Sequence, residues 1–344
     1  MILRLNLLGK LKFLNYFFFL LILFFYAIAD QFADEPKTYG ASIYEVSFEI
    51  PFKTPIFKIL SFDDNLFALE MENHRIVSIK NNKITGQIGK IGNSKGEFYY
   101  PEDFAIDKDK IFYVTDAGNK RIQILDRKGN YLNEFPVYSK SLGLAVNSKE
   151  EIYLGQPTLN SLISVYNSKG KILRSFGYLI NPSEIYGMEY VKFDGTHKIP
   201  LNRVRVAIDK NDCVWLGFIH APLVLNYNQK GELIYRKILN LASLEPLKKA
   251  IWQRPGQRYT SVNIDGIQLI MIIKDIVVNP KNEQILILLG DDSIIGIDSK
   301  ADIKYIIKTN VEKGTLNSLC VDGNGNIYLT LLFSPKIYKL VISP

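Results

Sequence analysis

Short apolar runs alternate with polar turns along this chain, and the pattern is clearest over residues 101–135. Four runs there, rich in β-branched and aromatic residues, are separated by turns of Asp, Asn, Gly and Lys. The third run, Arg121–Asp126, alternates apolar and polar positions as a half-buried strand does. Four short strands in about 35 residues cannot bury both faces of their sheet alone. The segment therefore predicts one four-stranded antiparallel unit of a repeat protein.

Similar units recur along the chain. In each unit a polar residue ends one apolar run, and a second apolar run follows after a short polar turn. The spacing, roughly 40–50 residues with two longer intervals, is typical of a β-propeller with four-stranded blades. We therefore predict an all-β fold, a six-bladed β-propeller of antiparallel blades over residues 41–344. The six polar residues are Ser61, Asp107, Asn147, Asp209, Asn279 and Asp322.

The last unit has only three apolar runs before the chain stops, whereas an additional run, Ile43–Ile50, lies near its start. We predict that residues 43–50 form the outer strand of the sixth blade and close the ring. Closure in this way removes open sheet edges, which otherwise promote aggregation. A stray strand on the first blade is the alternative.

In the second unit Asp116 is followed by Asn119 and by the pair Arg121-Ile122. This motif resembles the NHL repeat. The first unit keeps part of it, with Glu70 at the Asp position and Arg75 at the Arg position, and the other four keep only the strand pattern. The resemblance, which we assign to the exported bacterial type, implies the propeller fold and says less about function. The acid and the Arg of the motif are expected to pair and fix a turn; a surface cation for a partner is the alternative. The motif residues of the second unit are Tyr113, Val114, Asp116, Asn119, Arg121, Ile122 and Gly129.

Residues 1–29 have the pattern of a signal peptide. A basic start is followed by the apolar stretch Tyr16–Ile28 and by the Ala27–Ala29 cleavage pattern. We expect cleavage after Ala29, a flexible leader over residues 30–40, and a periplasmic or extracellular protein. The alternative is an uncleaved membrane anchor, although the apolar stretch is shorter than the about 20 residues that a span needs. Only this segment is expected to contact a membrane.

The net charge of the chain argues against one class of partner, and the positions of its two cysteines argue against a disulfide. Loss of the signal segment removes three cations and no acid, so the formal net charge falls from +7 to +4. This charge is too small and too dispersed to indicate nucleic-acid binding. Cys213 and Cys320 fall on blades that are not neighbours, so both are expected to be free thiols. A monomer is expected.

The two longer intervals predict inserts near residues 177–202 and 241–270. Each insert joins the outer strand of one blade to the inner strand of the next. We therefore expect both on the face that also carries the turns between second and third strands, where loops on a rigid scaffold bind partners. A lid that packs over the channel is the alternative. The insert residues that we predict to bind, chosen because Trp, Arg and Tyr anchor interfaces, are Trp252, Arg254, Arg258, Tyr259, Tyr186, Tyr190 and His197.

The sequence contains no recognisable set of catalytic groups. The three histidines do not fall at inner-strand ends, and no nucleophile motif is present. The sequence also invites comparison with lactonase-like propellers, whose channel holds a divalent cation. The inner-strand candidates for such a site, whose oxygen ligands suit calcium, are Glu102, Asp103, Asp275 and Asn317. Arg205 occupies the register of the two aspartates and can neutralise them.

Our leading hypothesis is an exported, non-enzymatic scaffold without a cofactor. It engages a protein or peptide, or a cell-envelope glycan, through the face that bears the inserts. The alternative is a metal-assisted lyase or lactonase that acts in the central channel with calcium or another divalent cation. Whether the protein is an enzyme stays open at this point, with the binding role favoured.

Overall fold

The structure is a computed structural model of the chain. It describes residues 36–46, 52–137, 143–158, 160–181, 184–185, 199–250, 261–264, 267–311 and 314–342. The predicted signal segment, residues 1–29, lies outside these ranges. Within them, no helix is both long and apolar enough to cross a membrane.

The apolar runs fold as antiparallel sheets in which consecutive strands are neighbours. Four sheets are separate four-stranded blades. The first comprises β2 (Lys58–Phe62), β3 (Asn65–Glu70), β4 (Arg75–Lys80) and β5 (Lys83–Ile88). The second comprises β6 (Pro101–Ile106), β7 (Phe112–Asp116), β8 (Arg121–Leu125) and β9 (Tyr131–Pro136). The third comprises β10 (Leu144–Val146), β11 (Ile152–Gly155), β12 (Ile163–Tyr166) and β13 (Ile172–Phe176), and the fourth β14 (Val204–Ile208), β15 (Val214–Phe218), β16 (Leu223–Tyr227) and β17 (Leu233–Ile238).

A fifth sheet contains eight strands and includes both ends of the described chain. Its strands are β1 (Lys37–Glu45), β20 (Ile273–Val278), β21 (Ile285–Leu289), β22 (Ser293–Ile297), β23 (Ile303–Thr309), β24 (Leu316–Val321), β25 (Ile327–Leu331) and β26 (Ile337–Ile342). Their order is β20-β21-β22-β23-β1-β26-β25-β24. The prediction of an all-β fold with four-stranded antiparallel blades is confirmed, with four separate blades and this larger sheet.

The N-terminal strand pairs with the C-terminal strand, but the prediction placed it too far along the chain. β1 runs antiparallel to β26, with Ala41 opposite Ile342 and Glu45 opposite Tyr338. Residues 37–40, which we expected in a flexible leader, belong to this strand, whereas residues 47–50 lie outside the described part. Ala41 is buried in the apolar cluster of this sheet, and the ring of Tyr39 contacts that of Tyr305 edge-on. These contacts attach the segment that precedes Ile43 to the sheet.

Burial explains why the strands stack as blades. The second and third strands of the fourth blade, β15 and β16, are buried at every position, whereas its outer strand β17 is largely exposed. Apolar side chains of neighbouring sheets form shared clusters, as between the third and fourth blades. Gly170, in the last turn of the third blade, has φ of +76°, and a Cβ there would lie 2.3 Å from Cβ of Phe135 in the second blade. Neighbouring blades therefore approach more closely than a side chain would allow.

One predicted repeat position is shifted by a shorter turn. In the first blade the turn between β2 and β3 has only two residues, Asp63 and Asp64. Ser61 pairs with Leu66, which lies four residues before the motif acid Glu70, as Phe112 lies four residues before Asp116. In the second blade the corresponding turn is longer, and Ile106 pairs with Phe112. Ser61 is therefore equivalent to Ile106 rather than to Asp107. This shift brings Lys58 to the register of Asp103, which the sequence analysis did not predict.

The described parts of the two inserts are anchored to the blades. In the first insert, the Asn202 side chain accepts a hydrogen bond from the Ile180 N–H (2.8 Å) and donates one to the Ile180 carbonyl (3.1 Å). The second insert begins with a 3₁₀ turn, Ala242–Leu244, and a short helix α1, Glu245–Ala250, and continues in a hairpin of β18 (Ser261–Ile264) and β19 (Ile267–Ile270). Leu244 and Leu247 are buried in the cluster of the larger sheet. The start of this insert therefore packs as part of the fold.

Both cysteines are free thiols, as predicted. Burial raises the pKa of Cys213, and burial also raises the pKa of Cys320, which lies in the channel wall. Neither thiol has the depressed pKa that reactive cysteines show.

Candidate binding face and channel

The turns between second and third strands lie on one face with the connections between blades. Backbone hydrogen bonds join the two kinds of segment: Gly118 N–H donates to the Tyr99 carbonyl (2.7 Å) and Ile219 N–H to the Arg203 carbonyl (3.0 Å). Ile272 N–H, at the end of the second insert, donates to the Ile219 carbonyl (2.6 Å). The described ends of both inserts therefore lie at these turns, as predicted. We call this side of the molecule the connection face.

Asp116 organises the connection face of the second blade. Its buried carboxylate accepts hydrogen bonds from the Tyr99 N–H (2.6 Å), from Arg121 Nε (2.8 Å) and from the amides of Asn119 and Gln123 (2.8 and 3.1 Å). Arg121 is only 12% exposed. The carboxylate thus ties the turn to the connection over residues 89–100, and the predicted pairing of the motif acid with its Arg is confirmed.

The first blade repeats this arrangement with a longer acid. Glu70 is buried and accepts hydrogen bonds from Arg75 Nε (2.6 Å), from the amide of Asn73 (2.9 Å) and from the hydroxyl of Thr54 (3.0 Å). Arg75 also donates to the amide oxygen of Gln87 (2.8 Å). The motif side chains are therefore engaged in fixing turns.

His74 holds an aromatic connection against the first blade. Its backbone is left-handed, with φ of +54°, and its Nδ1 accepts a hydrogen bond from the Tyr100 N–H (2.9 Å). The buried imidazole stacks on Tyr99, with ring centroids 5.6 Å apart, and meets Tyr100 edge-on. A Cβ on Gly118 would lie 2.4 Å from the Tyr99 carbonyl oxygen. The backbone of this connection is thus fixed from both neighbouring blades.

The same connection leaves large apolar surface in solvent. Ile91 is 63% exposed, Tyr99 43% and Tyr100 44%. We call these three side chains the exposed patch. None of the three is among the binding residues predicted above, although two adjacent tyrosines in a glycine-rich connection are a visible signal in the sequence.

The inner strands β2, β6, β10, β14, β20 and β24 line a cavity of ≈ 240 Å³. Strand pairing, with the hydrogen bond from the Gly155 N–H to the Gly143 carbonyl, places one residue from each of six inner segments at an equivalent position next to the residues that line this cavity. We call these six residues the channel ring. Its members carry a cation, an acid and an uncharged residue in turn, twice around. In chain order they are Lys58, Asp103, Gly143, Arg205, Asp275 and Ser318.

The ring satisfies backbone groups at the inner edges of the sheets. Inner strands are edge strands, so their outward N–H and C=O groups have no ladder partner. Asp103 accepts the Leu144 N–H (3.0 Å) and Asp275 accepts the Leu319 N–H (3.1 Å). Arg205 Nε donates to the Lys274 carbonyl (2.8 Å). Ring side chains thus connect each of these strands to the next inner strand.

Ring charges are also paired across the channel. Lys58 Nζ lies 2.7 Å from Oδ1 of Asp275, whose side chain is 1% exposed, and Ser318 donates to Oδ2 of the same carboxylate (2.6 Å). Burial alone would raise the pKa of Asp275, but Lys58 and Arg205 together hold that pKa below its ordinary value. Burial raises the pKa of Asp103, and the same two cations only partly oppose it. Arg205 therefore lowers the pKa of both aspartates, more effectively together with Lys58 at Asp275 than at Asp103.

The remaining candidates for a channel cation lie at β-bulges. Pairing shifts at Glu102 and at Asn317, so each side chain is displaced from the regular alternation. Asn317 donates its amide to the Phe57 carbonyl (2.6 Å), and Glu102 acts electrostatically on Arg203. Among the described residues, no group of three or more His, Cys, Asp or Glu side chains is placed to hold a metal ion.

The insert residues predicted to bind a partner all fall in segments that the structure does not describe. They are Trp252, Arg254, Arg258 and Tyr259 of the second insert and Tyr186, Tyr190 and His197 of the first. His220 is described: its Nδ1 lies 2.9 Å from the Ile270 carbonyl oxygen, and burial lowers its pKa to about 4. It is therefore neutral at physiological pH.

Comparison with known proteins supports the repeat and the fold. Residues 98–125 match the NHL repeat model. Protein brain tumor of Drosophila melanogaster is 27% identical over 103 residues, which are 27% of this chain and 10% of that protein. The match thus spans about a tenth of its length.

Solved structures resemble this one over most of the chain. A streptogramin B lyase structure has a TM-score of 0.56 at 13% identity and covers 88% of this chain and 97% of its own. Virginiamycin B lyase from Staphylococcus aureus has a TM-score of 0.53 at 13% identity, with 88% of each chain covered. At this identity the likeness supports the fold alone. The chain is thus a β-propeller that carries an NHL repeat.

Proposed function

We propose that this protein is a non-enzymatic binding scaffold that engages a protein or peptide through its connection face. We further propose that the eight-stranded sheet is two blades joined through β1, so that six blades surround the channel. The six inner segments that contribute to the channel ring support this count. An NHL repeat in a propeller supports a binding role.

The observation that carries the proposal is the exposed patch. Ile91, Tyr99 and Tyr100 expose large side chains, while hydrogen bonds to His74 and Asp116 fix the backbone of the two tyrosines. A preorganised aromatic surface loses little conformational entropy on binding, and tyrosine is among the residues that most often anchor interfaces. Trp252 and Tyr259 of the second insert, which the sequence predicts to bind a partner, stay candidates in this proposal.

Export is a separate part of the proposal. We propose that residues 1–29 are removed as a signal peptide and that the partner is a periplasmic or extracellular protein, or an envelope glycan. The pattern of basic, apolar and small residues in the sequence supports this. N-terminal sequencing of the native protein tests it: Asp30 as the first residue supports export with cleavage, and an intact Met1 contradicts it.

The test of the scaffold uses the full chain as bait on extracts of the native organism. The double variant Tyr99→Ser/Tyr100→Ser is compared with the wild type. The control is Leu132→Ser, which changes an exposed apolar side chain on β9. We expect a partner that the wild type and the control capture and that the double variant loses while keeping its thermal unfolding midpoint. Capture of the same proteins by all three baits would contradict the assignment of the connection face.

The channel hypothesis makes a different prediction. A metal-assisted lyase or lactonase that uses Glu102, Asp103, Asp275 and Asn317 should contain a stoichiometric divalent cation. It should also lose that cation in Asp275→Ala. Metal analysis of the purified protein, together with a thermal shift on addition of calcium, separates this alternative from the scaffold.

A further inference from the structure

All the charged side chains that line a groove next to the exposed patch are cationic. It encloses ≈ 620 Å³ between the connection over residues 89–91, the turn before β4, and β5. Its charged lining consists of Lys53, Arg75 and Lys90, and none of the residues that line it is acidic. Ile84 and Ile91 add apolar surface to the same groove. It therefore combines a positive potential with apolar contacts.

The three cations differ in how far the protein neutralises them. Arg75 is paired with the buried Glu70 (2.6 Å). Lys90 is 73% exposed and lies 3.3 Å from Glu97, whose carboxylate also accepts the Ser94 N–H (3.0 Å). Lys53 is exposed and has no carboxylate partner among the described residues. Lys53 and Lys90 are thus the side chains best placed to interact with a negatively charged ligand.

The composition of the groove favours one class of ligand. Nucleic-acid sites need a concentrated set of cations, whereas here one of three is held by a buried acid and two isoleucines share the lining. Because Ile91 is 63% exposed, a ligand gains from burying apolar as well as charged groups. Acidic protein segments with interspersed apolar residues match both features.

We propose that this groove binds an acidic, leucine- or isoleucine-containing segment of a protein partner. Lys53 and Lys90 contact carboxylates of the segment, and Ile84 and Ile91 receive its apolar side chains. The inference rests on the proposed scaffold function and specifies the chemistry of its partner. Arg75 contributes positive potential while it stays bonded to Glu70.

The test measures binding of a fluorescein-labelled peptide, Glu-Glu-Leu-Glu-Glu-Leu-Glu-Glu, to the full chain by fluorescence anisotropy at low salt. We expect the double variant Lys53→Glu/Lys90→Glu to bind at least about tenfold more weakly, since two attractions become repulsions. Ile91→Ser should also weaken binding. The matched control Lys171→Glu/Lys230→Glu reverses two exposed charges outside the groove and should retain most of the affinity. Circular dichroism checks folding, and Lys53→Gln/Lys90→Gln replaces the reversal variant if it does not fold.

Several results would overturn the inference. An equal loss of peptide affinity in the groove variant and the control variant would indicate nonspecific charge attraction. Tighter binding of a uridine oligonucleotide than of the peptide would assign the groove to a phosphate ligand. Failure of the peptide to bind while the captured partner still depends on Tyr99 and Tyr100 would remove the inference and leave the scaffold proposal standing. If peptide binding depends on Lys53 and Lys90 while capture of the partner does not depend on Tyr99 and Tyr100, the groove is supported and the role of the exposed patch in the scaffold proposal is removed.

Discussion

Replacing Lys58 by Met tests the channel ring most sharply, because it removes one half of a buried ion pair. Asp275 would keep its bonds to Ser318 and to backbone N–H groups but lose the ammonium 2.7 Å away. The Asp275 side chain is 1% exposed and that of Lys58 13%, so solvent screens this pair little. Loss of one partner of such a pair costs about 3–5 kcal/mol. At about 2–3 °C per kcal/mol for a domain of this size, the Tm should fall by about 6–15 °C.

The pH dependence supplies a second, independent signature. In the wild type the pKa of Asp275 lies below its ordinary value, so the pair stabilises the fold above the ordinary carboxyl pKa and loses that effect as the pH falls through the lowered pKa. Without Lys58, one of the two cations that oppose the effect of burial is gone, so the pKa of Asp275 rises relative to the wild type. As the pH falls, protonation of Asp275 removes the unpaired buried charge in the variant. The difference in unfolding free energy between the variant and the wild type should therefore narrow between pH 7 and pH 4.

Urea unfolding of the full chain at both pH values measures the two effects. Lys237→Ala is the control, because Lys237 and its partner Asp302 are 39% and 54% exposed and 3.5 Å apart. We expect this control to change stability by less than about 0.5 kcal/mol. A loss below about 1 kcal/mol for Lys58→Met at pH 7, or a gap that does not change with pH, would refute the account of the ring.

Three further predictions concern the blades. Asp116→Ala should destabilise the fold by roughly 3 kcal/mol, since it leaves Arg121 without its buried partner, and should make residues 89–100 sensitive to limited proteolysis; unchanged proteolysis would contradict the tether. Gly170→Ala should cost about 1–3 kcal/mol in urea unfolding because of its positive φ and the side chain that faces it, whereas Gly40→Ala, with nothing within 4 Å of the new Cβ, should be close to neutral. Ellman's reagent should react poorly with native protein, because burial raises both thiol pKa values, and should detect two thiols in denaturant; fast reaction of both in the folded state would oppose this.

Much of the fold follows from local pattern. Strand positions, turn chemistry and the pairing of Asp116 with Arg121 are properties of neighbouring residues, so the sequence alone predicts them. The closing strand was harder to place, because Ala41 is buried by strands from the other end of the chain rather than by its own neighbours. The two-residue turn between β2 and β3 likewise shifts the register of the first blade, so the sequence pattern did not identify Lys58 as a member of the channel ring.

The candidate site depends on contacts between blades, which the local pattern does not contain. In the sequence, His74 lies next to the motif residue Arg75, whereas in the structure its imidazole accepts a hydrogen bond from Tyr100 of the following connection. Lys53 and Lys90 are far apart in sequence and line one groove. Asp103 and Asp275 fit a metal site by residue type, whereas the structure also surrounds them with Lys58 and Arg205.

Site-specific photo-crosslinking tests the central proposal most directly. A benzophenone amino acid placed at Tyr99 in the native organism would lie on the connection face, and the same group at Leu173, 44% exposed on the outer strand β13, serves as the comparison. The account predicts a discrete crosslinked partner from position 99 that is absent from position 173 and that decreases when Lys53 and Lys90 are reversed. Crosslinks to the same partner from position 173 alone, with none from position 99, would contradict a binding role for the connection face.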